Sequence, residues 1–186
     1  MSPRRSLISF CLALAALALP ALVSPARASA VTGLDVMTST VLQEGQSSFS
    51  GLGVRLRLRS AQLVEGIEFL PAIEYWRNHT SLKGFGIESS RRDATLLGEA
   101  RYTFRSAHWS PYAGVGFGLH FLSSTVDAPS FGINRQERSL IKGGPCLLGG
   151  ATFPITKAVD SFADLEYHHV TDYRQLKINW GLSFSF

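Results

Sequence analysis

The chain has 186 residues, with 18 Lys and Arg against 14 Asp and Glu, and two cysteines. That length suits one domain. The formal charge of +4 is no argument for nucleic acid, because Arg4, Arg5 and Arg27 fall in a segment that reads as a removable leader, leaving 15 basic against 14 acidic residues.

Residues 1–30 have the layout of a secretory signal peptide. Arg4 and Arg5 form the positive start, Leu7–Leu19 the apolar middle, and Ala26-Arg27-Ala28 or Ala28-Ser29-Ala30 the small-x-small cleavage site. The apolar run is short for a spanning helix, which needs about 20 residues. Cys11 follows Phe10 at the start of that run, not its end, which disfavours lipid attachment there. Residues 31–186 are then the mature domain, with Cys146 its one cysteine and no intrachain disulfide possible.

Period-2 alternation recurs along this domain and predicts eight strands. Leu34, Val36, Thr38 and Thr40 alternate with Asp35, Met37 and Ser39. Leu52–Leu58 alternates with Gly51, Gly53, Arg55, Arg57 and Arg59. Ile67–Tyr75 alternates with Glu68, Leu70, Ala72, Glu74 and Trp76. Leu96, Ala100, Tyr102 and Phe104 alternate with Thr95, Glu99, Arg101, Thr103 and Arg105. Ala113–Phe121 alternates with Tyr112, Gly114, Gly116, Gly118 and His120. Residues 140–153 form a Gly-rich strand with Pro145. Val159–Tyr167 alternates with Asp160, Asp164, Glu166 and His168. Finally Leu176, Ile178, Trp180, Leu182, Phe184 and Phe186 alternate with Gln175, Lys177, Asn179, Gly181, Ser183 and Ser185.

No segment after the leader has 18 consecutive apolar residues. A closed barrel is the other way to satisfy every backbone group in lipid, and an even strand number fits a bacterial one. The connections agree. The two longest, near 77–93 and 122–139, share outward parity, while those near 60–66, 105–110 and 154–158 are short and periplasmic. The apolar face is rich in Leu, Val, Ile, Phe and Tyr and is assigned to lipid. The opposite face carries the charges and is assigned to the lumen.

The expected lumen charges nearly balance. Arg55, Arg57, Arg59, Arg101, Arg105, Lys142 and Lys177 oppose Asp35, Glu68, Glu74, Glu99, Asp160, Asp164 and Glu166. Cross-strand pairs of opposite charge stabilise pairing, and a barrel of this size is filled by its own side chains. A plugged lumen is expected. Aromatic girdles are expected from Tyr75, Trp76, Phe121, Tyr167 and Tyr173 outward, and from Phe104, Trp109, Tyr112, Phe153, Phe184 and Phe186 at the periplasmic side, with Trp180 between.

The signal peptide, the strand entry Trp109-Ser-Pro-Tyr-Ala-Gly-Val-Gly-Phe-Gly-Leu119 and the closing alternation ending in Phe186 together resemble the small OmpA/OmpX-type outer-membrane β-barrel family over essentially the whole mature chain. The resemblance implies an eight-stranded antiparallel up-and-down transmembrane barrel in a bacterial outer membrane. It also implies that Phe186 is read by the outer-membrane assembly machinery, and that the role is structural, adhesive, pore-forming or lipid-modifying. No peptidoglycan-binding domain follows the barrel, so that anchoring role is not expected.

Glu166-Tyr-His168-His169-Val-Thr171-Asp172 partly resembles the His-x-Ser-Asn segment of lipid A deacylases, with His169 as base and Thr171 as nucleophile. Thr stands for Ser, Asp172 for Asn, and no Glu follows, so no catalytic residue is assigned. A metal site from His168, His169 and His79 is disfavoured, because neighbours in a strand face opposite ways. The Gly114-x-Gly116-x-Gly118 run lacks the strand–turn–helix context of a dinucleotide fingerprint; its glycines are expected to leave room for large neighbours such as Arg or Tyr. No cofactor is expected.

The outward connections lean basic, with Arg77, His79, Lys83, Arg91, Arg92, Arg135 and Arg138 against Glu88, Asp93, Asp127 and Glu137. Guanidinium pairs well with phosphate, and lipopolysaccharide phosphates lie at that level. The expectation is therefore a monomeric, non-enzymatic outer-membrane barrel with a structural or surface-interaction role. Arg77, Lys83, Arg91 and Arg92 are its candidate lipopolysaccharide contacts. A narrow pore, a lipid A-modifying hydrolase and a soluble lipocalin-like carrier are the alternatives.

Overall fold

The structure, a computed structural model, describes residues 30–43, 48–59, 65–82, 87–104, 108–170 and 173–186. The expected leader therefore lies outside the described residues, apart from Ala30. Arg105, Lys83, Thr171 and Asp172 lie outside them as well.

Eight antiparallel strands close into one up-and-down barrel. They are β1 (Ala30–Gln43), β2 (Phe49–Arg59), β3 (Ile67–Leu82), β4 (Ile87–Thr103), β5 (Ser110–Ala128), β6 (Ile133–Pro154), β7 (Val159–Val170) and β8 (Tyr173–Ser185). Closure is made by β1 on β8, in register from Gly33↔Ser185 to Gln43↔Gln175. Phe186 extends this seam, its N–H donating to the Thr32 carbonyl at 3.1 Å. Among the described residues no helix is long and apolar enough to cross a membrane.

The period-2 pattern decides which way each side chain points. Leu52, Ile73, Val115, Leu147, Leu165 and Trp180 are exposed on the exterior, while Arg55, Glu99, Glu166 and Lys177 are fully buried inside. This is the reverse of a soluble protein, and such an exterior belongs in lipid.

Four strands run further than the alternation indicates. The outward connections near 77–93 and 122–139 are mostly hairpin. β3 and β4 stay in register up to Leu82↔Ile87, and β5 and β6 up to Ala128↔Ile133, where a 3-10 turn at Pro129–Phe131 closes them. Gly132 ends that turn at φ 71°, a conformation that favours glycine. Pro145 sits in β6 next to the point where pairing with β7 ends, at Cys146↔His168. A residue with no N–H is tolerated there because one neighbouring ladder stops.

Two aromatics assigned to the girdles turn inward instead. Trp76 has the parity of Glu74, is 3% exposed, and lies against Phe49 at 4.3 Å between ring centres. With Val41 and the half-buried Leu122 it forms an apolar layer across the outward end of the lumen. Tyr112 is also 3% exposed, and its hydroxyl donates to Asp164 at 2.8 Å. Parity along the strand outweighs position near its end. On the lipid face Trp109 stacks on Phe153, and Tyr102 meets Phe104 edge-on.

Candidate functional site

The lumen contains a layered ion-pair network. Nearest the periplasm, Glu68 accepts from Arg101 Nε at 3.1 Å and Nη2 at 2.9 Å, and from Arg59 at 3.0 Å. Beside it, Arg57 Nε stands 3.3 Å from Asp35, and its Nη2 donates to the Phe184 carbonyl and the Ser185 hydroxyl. Ser183 donates to the same carboxylate at 2.6 Å. The Arg101 guanidinium lies over the Tyr112 ring at 4.6 Å. These groups come from β1–β5 and β8, so the layer ties the barrel across as well as around.

At mid-height Arg55 is the hub. Its Nε is 3.2 Å from Glu99, Nη1 3.1 Å from Asp164 and Nη2 3.9 Å from Glu166, all fully buried. Asn179 donates to both Asp164 and Glu166, at 2.8 and 2.9 Å. Lys177 is paired with Glu74 across the lumen. In a low-dielectric interior such groups hold only when paired and hydrogen-bonded, and removing one partner costs about 3–5 kcal/mol.

Above the hub lie two imidazoles. His168 Nε2 is 2.7 Å from Glu166, and His120 Nδ1 is 2.8 Å from Asp93 and 3.1 Å from Thr95. The rings meet edge-on at 5.2 Å. Cys146, directly opposite His168, faces Glu99 with Sγ 3.9 Å from its carboxylate. The inner-face glycines make room here for residues other than the expected Arg or Tyr. A Cβ on Gly116 would come within 2.9 Å of Cys146 Sγ and 2.8 Å of Glu99.

Of the proposed lumen residues, Arg55, Arg57, Arg59, Glu68, Glu74, Glu99, Arg101, Asp164, Glu166 and Lys177 come together in this network, although Arg59 is largely exposed. Asp160 sits half-buried at the periplasmic rim and makes no ion pair among the described residues. Asn179 joins the interior beside Lys177 as expected, while Asp93, Cys146 and Ser183 are additions to the expected set, each with lumen parity in the sequence. His169 is exposed on the outside, opposite in sense to His168.

The second region is the outward end. Arg77 stands directly opposite Arg92 on the β3–β4 hairpin, with Asn78 opposite Arg91. Arg91 continues across β5 to Ser124, and Ser124 to Arg138 on β6. Among the described residues none of Arg77, Arg91, Arg92 and Arg138 makes a salt bridge, whereas Arg135 is held by Glu137 at 2.6 Å. Arg91, Arg92 and Arg138 line a hollow of about 200 Å³ together with Trp76, the outer face of the apolar layer. Arg77, His79, Arg92 and Arg135 line a second, of about 160 Å³, which also contains Glu88 and Asp127.

No protein-family model matches the sequence, and no curated protein is similar to it in sequence. Solved structures are similar in fold. Neisserial surface protein A superimposes with a TM-score of 0.60 at 17% identity, covering 83% of this chain and 96% of that one. Ail, the attachment invasion locus protein of Yersinia pestis, crystallised with the heparin analogue sucrose octasulfate, gives 0.58 at 14% identity, with 84% and 97% covered. A major outer membrane protein of Thermus thermophilus gives 0.60 at 12% identity, with 84% and 100% covered. The chain has the fold of the small eight-stranded outer-membrane β-barrels.

Proposed function

We propose that this protein is a non-enzymatic barrel of a bacterial outer membrane, whose outward hairpins hold anionic groups at the cell surface, the lipopolysaccharide phosphates first among them. The observation that carries this reading is the facing pair Arg77 and Arg92, with Arg91 next in the strand on the opposite face and no carboxylate bound to any of the three among the described residues. Like charges directly opposite one another weaken a sheet. A phosphate between them reverses that penalty, and guanidinium is suited to bind it in two-pronged fashion. Lys83, also a candidate contact, belongs to the same connection but lies outside the described residues. The complex of Ail with a sulfated sugar is a precedent for polyanion binding on this fold, not an inheritance at 14% identity.

The pore reading has less support. Buried ion pairs cross the lumen at two heights, and the Val41–Phe49–Trp76 layer lies above them. Negligible conductance in planar bilayers is the expected result. Export by a signal peptide in residues 1–30, recognition of Phe186 by the assembly machinery and a monomeric state complete the proposal. Replacing both Arg91 and Arg92 by Glu tests it. Lipopolysaccharide that co-purifies with the wild type should fall several-fold, and an unchanged amount overturns the reading.

A further inference from the structure

The layer above Arg55 brings together three side chains that the surface reading does not use. Cys146 on β6 and His168 on β7 are a directly opposed pair, and Glu166 lies two residues before His168 on the same face. One sulfur, one imidazole nitrogen and one carboxylate oxygen from these residues all lie within 4.8 Å of one another, and all three residues are buried. This is the chemistry of a borderline-soft divalent ion. Hard cations take all-oxygen shells, whereas thiolate, imidazole and carboxylate together are zinc ligands.

Two independent observations point the same way. The first is the imidazole itself. His168 is fully buried, its Nε2 is committed to Glu166 at 2.7 Å, and its Nδ1 has no hydrogen-bond partner. An ion replacing the proton between Nε2 and Glu166 would be shared by that nitrogen and that carboxylate, which already face one another, and Nδ1 would keep the ring's remaining proton. The second is charge. Around the cluster, Glu74, Glu99, Asp164 and Glu166 are buried carboxylates, and Arg55 and Lys177 are the cations paired with them. Carboxylates outnumber the cations paired with them, and in a water-poor interior an added cation among carboxylates is favoured over a further anion.

We propose that Cys146, His168 and Glu166 bind one zinc-class divalent ion inside the barrel, with Glu99 beside the thiol as the nearest further oxygen donor. Binding would replace the thiol proton, released to solvent, by the metal–sulfur bond. The site would fix β6 to β7 at the end of their shared register, next to Pro145, where the ladder stops.

The test uses the full barrel folded in detergent with cobalt(II) or zinc in slight excess, then freed of unbound metal by chelating resin and gel filtration. The expected result is about one ion per chain and, with cobalt, the near-ultraviolet thiolate-to-metal absorption that only a sulfur ligand produces. Cys146→Ser should abolish that absorption, and His168→Gln should lower metal content roughly tenfold, the scale of a lost supporting contact or more. Heat-modifiable gel mobility establishes that each variant has folded, and Cys146→Ala serves where Cys146→Ser does not. Wild-type protein that retains no metal overturns the proposal. So does metal content that survives in both folded cysteine variants.

Discussion

Arginine does opposite things in two regions of this molecule. In the lumen Arg55 is fully buried and meets three carboxylates from β4 and β7, and Arg101 and Arg57 are served in the same way one layer below. On the outward hairpins Arg77 faces Arg92, and neither has a carboxylate partner among the described residues. The first arrangement is complete within the chain. The second leaves surplus charge on the outward hairpins, the charge that the proposed role assigns to anionic groups at the cell surface. The difference teaches that the residue type tells little, and that the partner supplied across the sheet separates a structural cation from a binding one.

The largest effect expected is therefore at the lumen hub. Arg55→Leu leaves Glu99, Asp164 and Glu166 buried without their guanidinium, at a cost of about 3–5 kcal/mol. Urea unfolding in detergent, followed by heat-modifiable mobility, should show a barrel that folds poorly. Stability within ~1 kcal/mol of the wild type would mean that the network is not what holds the lumen closed. Lys177→Met should cost on the order of 3 kcal/mol, and adding Glu74→Gln should recover part of it, because the second change removes the orphaned carboxylate. A double variant worse than the sum of the singles would break the account.

The lipid face gives the next effect. Trp180 lies midway along β8 and is 62% exposed on the exterior. Trp180→Arg should cost about 2–4 kcal/mol if that exterior faces hydrocarbon, as charged substitutions at mid-membrane depth do, whereas the same change on a water-facing surface would cost little. Unfolding from lipid vesicles measures it. A cost under ~0.5 kcal/mol would put the face assignment in doubt.

The faces of the strands are legible from alternation alone, down to Leu176–Phe186 pairing with the first strand. The lengths of β3 to β6 are not. Beyond Trp76 and Phe121 the apolar alternation of the outer face stops, and residues such as Arg77, Asn78 and His79 carry no period even though their backbone ladder continues. Trp76 and Tyr112 differ from expectation for another reason. Their parity with Glu74 and Gly114 places them inside, while their position near strand ends suggests a girdle, and the pleat of the strand prevails. Cys146 and His168 illustrate a third limit. Each can be given a face from sequence, but their meeting depends on the register of β6 against β7, which no single strand reveals.

The smallest effect has the opposite sign to the first and is the sharpest test of the comparison. Arg92→Thr removes one member of the facing Arg77–Arg92 pair and puts a good strand former in its place. With no carboxylate left behind among the described residues, the fold should be unchanged or gain up to about 1 kcal/mol, since like charges directly opposite one another oppose pairing. The same substitution should weaken the retention of lipopolysaccharide. That retention should already fall in the wild type as salt is raised, because exposed guanidinium–phosphate attraction is screened within about 8 Å at physiological ionic strength. Loss of stability on the lumen scale would show instead that Arg92 is a structural cation like Arg55, and the division between the two regions would fail.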